Sequence, residues 1–217
     1  SGDQARKGHL WTLLNHSPAH YRAALHGEDK DTPALAFGRA FHCRILEPDR
    51  YRYEYIVPQK FDRRTKAGKA DAAAWEEEHG HRAAISQEDA ESLDRMAEAV
   101  MAHEDAGLLL LDGEAEVSGY WQDAETLIGC KARYDWLDRE SGIFADLKTT
   151  RNAHPQVFGK DAARFGYYMQ AALYADGLAA ILGGEWSAYY IAVEKTPPYA
   201  VAVYQIEADE MGYGRDQ

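Results

Sequence analysis

The sequence predicts an α/β or α+β protein, a sheet flanked by helices behind a mainly helical N-terminal half. Three observations carry this. Up to about residue 112 apolar side chains recur at helical spacing, between residues that start and stop helices. After Gly113 the apolar period falls to two, through three successive runs joined by turn residues. One long helical segment then separates that meander from a final strand pair. At 217 residues the chain is expected to be a single domain, with residues 1–112 as its helical part and 113–208 as its sheet and helix.

The elements follow in order. Leu10, Leu13 and Leu14 lie at helical spacing, and Ser17-Pro18 starts a second short helix through Tyr21 and Leu25. Thr32-Pro33 opens a third, in which Phe37, Phe41 and Ile45 recur every four residues until Pro48 stops it. Pro58 to Lys69 is expected as a basic loop. Ser86 to Asp89 resembles a capping box; Leu93, Met96, Ala97 and Val100 share the face of the helix behind it, and Gly107 closes that helix. Strands are predicted at Glu116–Gln122, Ile128–Leu137 and Ile143–Lys148, with turns at Asp123–Glu125 and Asp138–Gly142. A helix from about Lys160 to Leu182 ends at Gly183-Gly184. Ser187–Val193 and Tyr199–Ile206 form the last pair.

Composition excludes several classes. Cys43 and Cys130 are too few for a disulfide framework or a four-cysteine zinc or iron–sulfur site. No apolar run approaches the ~18–20 residues of a membrane span, and no signal peptide is legible, so a cytoplasmic protein is expected. The Ser1-Gly2 opening and the Asp216-Gln217 end lead us to expect flanking sequence. The net charge of −12 argues on its face against nucleic acid. It does not locate a site, however, and Lys60, Arg63, Arg64, Lys66 and Lys69 cluster in one short stretch. Such a cluster reads either as a solvated loop or as a phosphate-contacting one.

The chemistry concentrates in the hairpin 128–148. Alternation puts Lys131, Arg133 and Asp135 on one face of its first strand, and Asp146 and Lys148 together on its second. With the turn at Arg139–Gly142, Asp138 pairs with Ile143, which sets Asp135 across from Asp146 and Arg133 across from Lys148. Two facing carboxylates repel unless a cation joins them. Hard oxygen donors with a nearby ammonium suit Mg²⁺ or Mn²⁺ and a water nucleophile; two solvent-facing acids near a turn are the plainer alternative. Glu116 adds a third carboxylate at the start of the preceding strand. Tyr167, Gln170 and Tyr174 share one helical face, either to reach a phosphate or a bound water or simply to cover the sheet. His42, beside Cys43, is a histidine on the third helix.

These residues carry a resemblance. Glu116-Val-Ser, Lys131-Ala-Arg-Tyr-Asp135, Asp146-Leu-Lys-Thr-Thr150 and Gln170-Ala-Ala-Leu-Tyr174 resemble the PD-(D/E)xK nuclease superfamily. More closely they resemble the exonuclease VIII (RecE-type) C-terminal nuclease domain. Gly38-Arg-Ala-Phe-His42, Leu46-Glu-Pro48 and the basic segment Asp62–Lys69 are similar to that family's upstream motifs. The resemblance runs from about residue 8 to 206. It implies a restriction-endonuclease-like core, a central mixed sheet flanked by helices. It further implies a Mg²⁺- or Mn²⁺-dependent exonuclease degrading linear duplex DNA from its ends, 5′ to 3′, for phage-type recombination. His42, Glu116, Asp135 and Asp146 would then be metal ligands with the Leu147 carbonyl, and Lys148 the catalytic lysine, with Gln170 and Tyr174 on the following helix. Glu114, two residues upstream, competes with Glu116. Lys60, Arg63, Arg64, Lys66 and Lys69, with Lys131 and Arg133, would hold DNA. Relatives with four cysteines carry an iron–sulfur cluster; none is expected here. A toroidal homo-oligomer and a single-strand annealing recombinase are the partners implied. A non-catalytic DNA-end or partner-binding module on the same fold, and an endonuclease, are the competing readings.

Overall fold

The computed structural model describes residues 4–26 and 32–217. Its described helices are α1 (Lys7–Asn15), α2 (Pro18–His26), α3 (Pro33–Leu46), α4 (Pro48–Glu54), α5 (Lys66–His79), α6 (Gln87–Ala102), α7 (Glu104–Leu109), α8 (Pro155–Phe165), α9 (Tyr167–Leu182) and α10 (Ala208–Asp216). The strands are β1 (Tyr55–Ile56), β2 (Ala83–Ala84), β3 (Glu114–Gln122), β4 (Gly129–Asp138), β5 (Ile143–Thr150), β6 (Ser187–Glu194) and β7 (Val201–Ile206). Two compact units result, one of residues 4–26 and 99–217 and the other of residues 32–98. No described helix is long and apolar enough to cross a membrane.

In the unit of residues 32–98, helix starts follow local capping chemistry. Thr32 Oγ1 accepts from the Leu35 N–H at 3.3 Å, with Pro33 in the first turn of α3, and Thr65 Oγ1 accepts from the Gly68 N–H at 2.9 Å ahead of α5. Ser86 Oγ accepts from the Asp89 N–H at 3.0 Å, as the capping pattern predicts. Pro48 ends α3 but also opens α4, a helix not foreseen; its missing N–H costs nothing at a first turn. The predicted basic loop is likewise shorter than expected, because Lys66 and Lys69 already belong to α5. Phe41, Leu93 and Met96 are fully buried. β1 and β2 form a two-residue parallel pair.

The other unit holds a five-stranded sheet of order β3-β4-β5-β6-β7, antiparallel except for β5 with β6. This is the mixed sheet flanked by helices that the sequence predicts, and all five strands fall where the alternation puts them, within about two residues. The parallel β5–β6 step requires a crossover, which α8 and α9 supply. The predicted single helix from Lys160 to Leu182 is in fact these two. α8 starts earlier, with Pro155 at its first turn and His154 Nδ1 accepting from the Gln156 N–H. Gly166 separates them at φ 67, a left-handed conformation that only glycine adopts without strain. Gly107 does not close α6, which ends at Ala102; it lies inside the short α7.

Helix α9 lies close on the sheet because its inner face is small. Ala171, Ala172 and Ala175 are buried there, and a Cβ at Gly177 would come within 2.7 Å of the Trp121 ring. The sheet fills the space with large side chains: Tyr134, Phe144 and Tyr190 join Phe158 and Leu178 in one core cluster. Each such fully buried ring contributes on the order of 2–3 kcal/mol of transfer free energy. Tyr134 also donates its hydroxyl to the Tyr174 carbonyl at 3.1 Å, fixing α9 against β4.

Candidate active site

The hairpin β4–β5 places the two aspartates. Its turn is locked by Asp138, whose Oδ1 accepts from the N–H groups of Glu140 (3.0 Å) and Ser141 (3.1 Å), with Gly142 at φ 66. Asp138 pairs with Ile143, as the register predicts, and the ladder continues through Leu137–Phe144 to Trp136–Ala145. There it stops. Asp135 does not enter a ladder pair with Asp146; its Oδ2 instead accepts from the Leu147 N–H at 2.8 Å. A side chain thus takes the place of a main-chain acceptor and the strands part. Arg133 therefore does not face Lys148; it pairs with Ser118 of β3.

Asp135 and Asp146 are both buried, 8% and 4% exposed, a position carboxylates rarely occupy without compensation. Asp146 forms an ion pair with Lys148 and accepts a hydrogen bond from Gln170 Nε2. Gln170 Oε1 in turn accepts from Lys148 Nζ at 3.3 Å, so one amide spans both charges. The ammonium of Lys148 also lies 4.8 Å from the Tyr167 ring and 5.4 Å from the Tyr190 ring. The Tyr190 hydroxyl donates to the Tyr167 carbonyl at 2.8 Å, which ties β6 to the first turn of α9. Burial alone would lower the pKa of Lys148, but the Asp146 and Asp135 carboxylates outweigh it and leave it raised, so the side chain is a cation at neutral pH.

Glu116 reaches the same place through a backbone irregularity. Ala115 pairs with Trp136 and Val117 with Tyr134, so Glu116 is passed over opposite Asp135 and sits at φ 55. A non-glycine residue held there stores roughly 1–2 kcal/mol of strain. Its carboxylate forms an ion pair with Arg133 and comes within 4.8 Å of the Asp135 carboxylate. Glu114 turns elsewhere, to Arg139 at 2.7 Å, with both side chains about half exposed. Glu116, Asp135 and Asp146 are hard oxygen donors, and the Leu147 carbonyl lies on the same strand as Asp146. Such a set fits a divalent cation of the Mg²⁺ or Mn²⁺ kind rather than a thiophilic metal.

The remaining predicted residues are placed as follows. Tyr174 packs its ring on Tyr134 at 5.0 Å and on Phe144 at 6.2 Å, so covering the sheet is part of what it does. Burial, with Asp146 and Asp135 nearby, pushes its phenol well above the ordinary value. Lys131 is partly buried on β4, and Arg133 is committed to Glu116. His42 is partly buried on α3 in the unit of residues 32–98. Lys60, Arg63, Arg64, Lys66 and Lys69 are exposed in that same unit, where Arg64 is held by Asp62 at 2.8 Å. Sequence reasoning missed two neighbours of Lys148. Tyr190 stands beside Asp146 in the parallel register, and Lys7 of α1 lies 6.0 Å from the Tyr167 ring. A parallel register leaves no periodic trace in the sequence, and a lone lysine on a nine-residue helix leaves none either.

Comparison with known proteins agrees with this architecture. Residues 10–217 match the family described as a PDDEXK-like domain of unknown function (DUF3799). Among solved structures, a candidate exonuclease from Eubacterium rectale is similar over 91% of this chain and 68% of its own. The TM-score is 0.64 at 11% identity, a likeness of fold. A phage-related exonuclease from Haemophilus somnus is 12% identical over 70% of this chain and 78% of its own, with a TM-score of 0.39, too low to bear on the fold. No curated protein matches the sequence.

Proposed function

The chain belongs to the PDDEXK-like DUF3799 family, and from that premise we propose that it is a divalent-metal-dependent nuclease that hydrolyses DNA phosphodiester bonds. One observation carries the reading: two buried aspartates at a parted strand pair, beside a lysine held as a cation by Asp146, Gln170 and two tyrosine rings. Glu116, Asp135 and Asp146, with the Leu147 carbonyl, would hold Mg²⁺, with Mn²⁺ as a substitute. When bound, the cation supplies Lewis-acid stabilisation of the phosphate and acidifies a water. Lys148 would orient the attacking water and offset charge developing on the phosphate. Gln170 would keep both Asp146 and Lys148 aimed, and Tyr167, Tyr174 and Tyr190 would wall the cation from bulk solvent.

Finer features are supported by the resemblance to the RecE-type nuclease domain alone. They are attack at linear duplex ends, 5′-to-3′ direction, His42 as an additional ligand and a toroidal homo-oligomer passing its product to a single-strand annealing recombinase. Lys60, Arg63, Arg64, Lys66, Lys69 and Lys131 would contact phosphates outside the reacting one. The test compares wild type with Asp146→Asn and Lys148→Met on one duplex, closed-circular and linearised, with Mg²⁺ and with chelator. Loss of the linear form alone is expected, dependent on Mg²⁺ and reduced at least about a hundredfold in both variants. Cleavage persisting in chelator would refute the metal mechanism; cutting of the circle would make the protein an endonuclease. Binding without turnover in the wild type would leave a non-catalytic DNA-binding module.

A further inference from the structure

A second cation shares the aromatic wall of Lys148. Lys7 opens α1, and its ammonium lies 6.0 Å from the Tyr167 ring on which Lys148 rests at 4.8 Å. It is also 5.2 Å from the Trp11 ring and donates a hydrogen bond to the carbonyl of Phe165, the last residue of α8. The bond goes to the negative end of a helix and not to a carboxylate.

The chain spends structure on bringing α1 here. Just before the helix, the Ala5 N–H donates to the Gly129 carbonyl at 2.8 Å and the Lys131 N–H to the Ala5 carbonyl at 2.9 Å, which stitches residue 5 to β4. On its far side, Trp11 occupies the space a Cβ would need at Gly166, only 2.3 Å away. Lys7 is thus pinned from both ends at the joint between α8 and α9.

Two ammonium groups around one ring repel each other, and the repulsion is least screened where water is scarce. Burial, then the nearby Lys148, against a smaller pull from Asp146, lowers the pKa of Lys7 to about 8. An anion between the two lysines would reverse the sign of that interaction. The established chemistry of a phosphodiester supplies one negative charge per residue of backbone.

Building on the nuclease reading above, we propose that Lys7 is a substrate-binding residue that holds a backbone phosphate of the DNA next to the one attacked. Lys148 serves the reacting phosphate and Lys7 its neighbour, with Tyr167 as the partition between them.

The experiment is a salt titration of binding to a linear duplex in chelator, so that nothing is cut, with Lys7→Gln and Lys7→Arg beside the wild type. Gln keeps a donor for the Phe165 carbonyl but removes the charge, and Arg keeps both. Neutralising one phosphate contact contributes about 0.9 to the slope of log K against log salt. Lys7→Gln should lose a slope of about 0.9, and Lys7→Arg should retain the wild-type slope. In Mg²⁺, Lys7→Gln should raise KM more than it lowers kcat. A lysine that only tethers α1 would change the melting temperature without moving the slope, and that result overturns the assignment. A wild type with no salt-dependent binding would bring down the nuclease reading itself, and the role of Lys7 with it.

Discussion

Two glycines of the α8–α9 segment should respond oppositely to the same substitution. At Gly166 a methyl group would meet Trp11 ring atoms at 2.3, 2.4 and 2.9 Å, where a rigid indole cannot swing away without moving α1. The position is also at φ 67, which costs an alanine roughly 1–2 kcal/mol. Overpacking adds about 1–3 kcal/mol. Gly166→Ala should therefore destabilise by about 2–5 kcal/mol. At Gly159, inside α8, a Cβ meets nothing within 4 Å. Gly159→Ala should stabilise by about 0.5–1 kcal/mol, the ordinary helix-interior preference. Denaturant unfolding of both variants, with the m-value checked against wild type, measures the difference. A Gly166→Ala variant within about 1 kcal/mol of wild type would refute the placement of Trp11 against the joint, and with it the pinning of Lys7.

At position 116 the usual strand preference should invert. Because of φ 55, Glu116→Gly is expected to be more stable than Glu116→Ala by about 1 kcal/mol in paired denaturation curves, while both lose cleavage. An alanine variant that is the more stable of the two would exclude the left-handed backbone. Lys7 sets a pH dependence. With its folded pKa lowered from 10.5 to about 8, the penalty for carrying the charge is fully present below pH 8 and vanishes above pH 10.5. Wild type should therefore gain stability relative to Lys7→Met as pH rises through that window, by on the order of 1–2 kcal/mol after solvent screening. Stability curves of the two proteins that stay parallel from pH 7.5 to 10.5 would contradict the shift.

The sheet was the most legible part of the sequence. Alternation along β4 and β5, the Asp138–Gly142 turn and the double glycine after α9 are local signals, and each leads to the observed element. The register of the hairpin was readable to Trp136–Ala145 and no further, because the Asp135–Leu147 bond that ends it is made by a side chain. The break at Gly166 was hidden by helical spacing on both sides of it, and Trp11, which packs against that glycine, is more than 150 residues away in the chain. In the sequence Glu116 has Glu114 as its competitor; the irregular backbone of β3 that turns the two carboxylates apart is something no periodicity encodes. α4 and α10 escaped because short polar helices carry little apolar pattern, and the 14-residue α5 because Ala72 is its buried residue and no large apolar stripe marks it.

For the cation proposed above, the bond from the Leu147 N–H to Asp135 would bear on selectivity. A carboxylate tied to the main chain has its rotamer chosen when the sheet forms. The entropy of ordering it, on the order of 1 kcal/mol, is lost in folding and not at the moment of capture. Such a group also cannot swing outward to suit a larger guest. Ions that tolerate many coordination numbers gain nothing from a fixed arm, whereas a small ion that demands strict geometry does. Under the metal-dependent reading proposed above, the main chain of β5 would act as a gauge, set before any ion arrives.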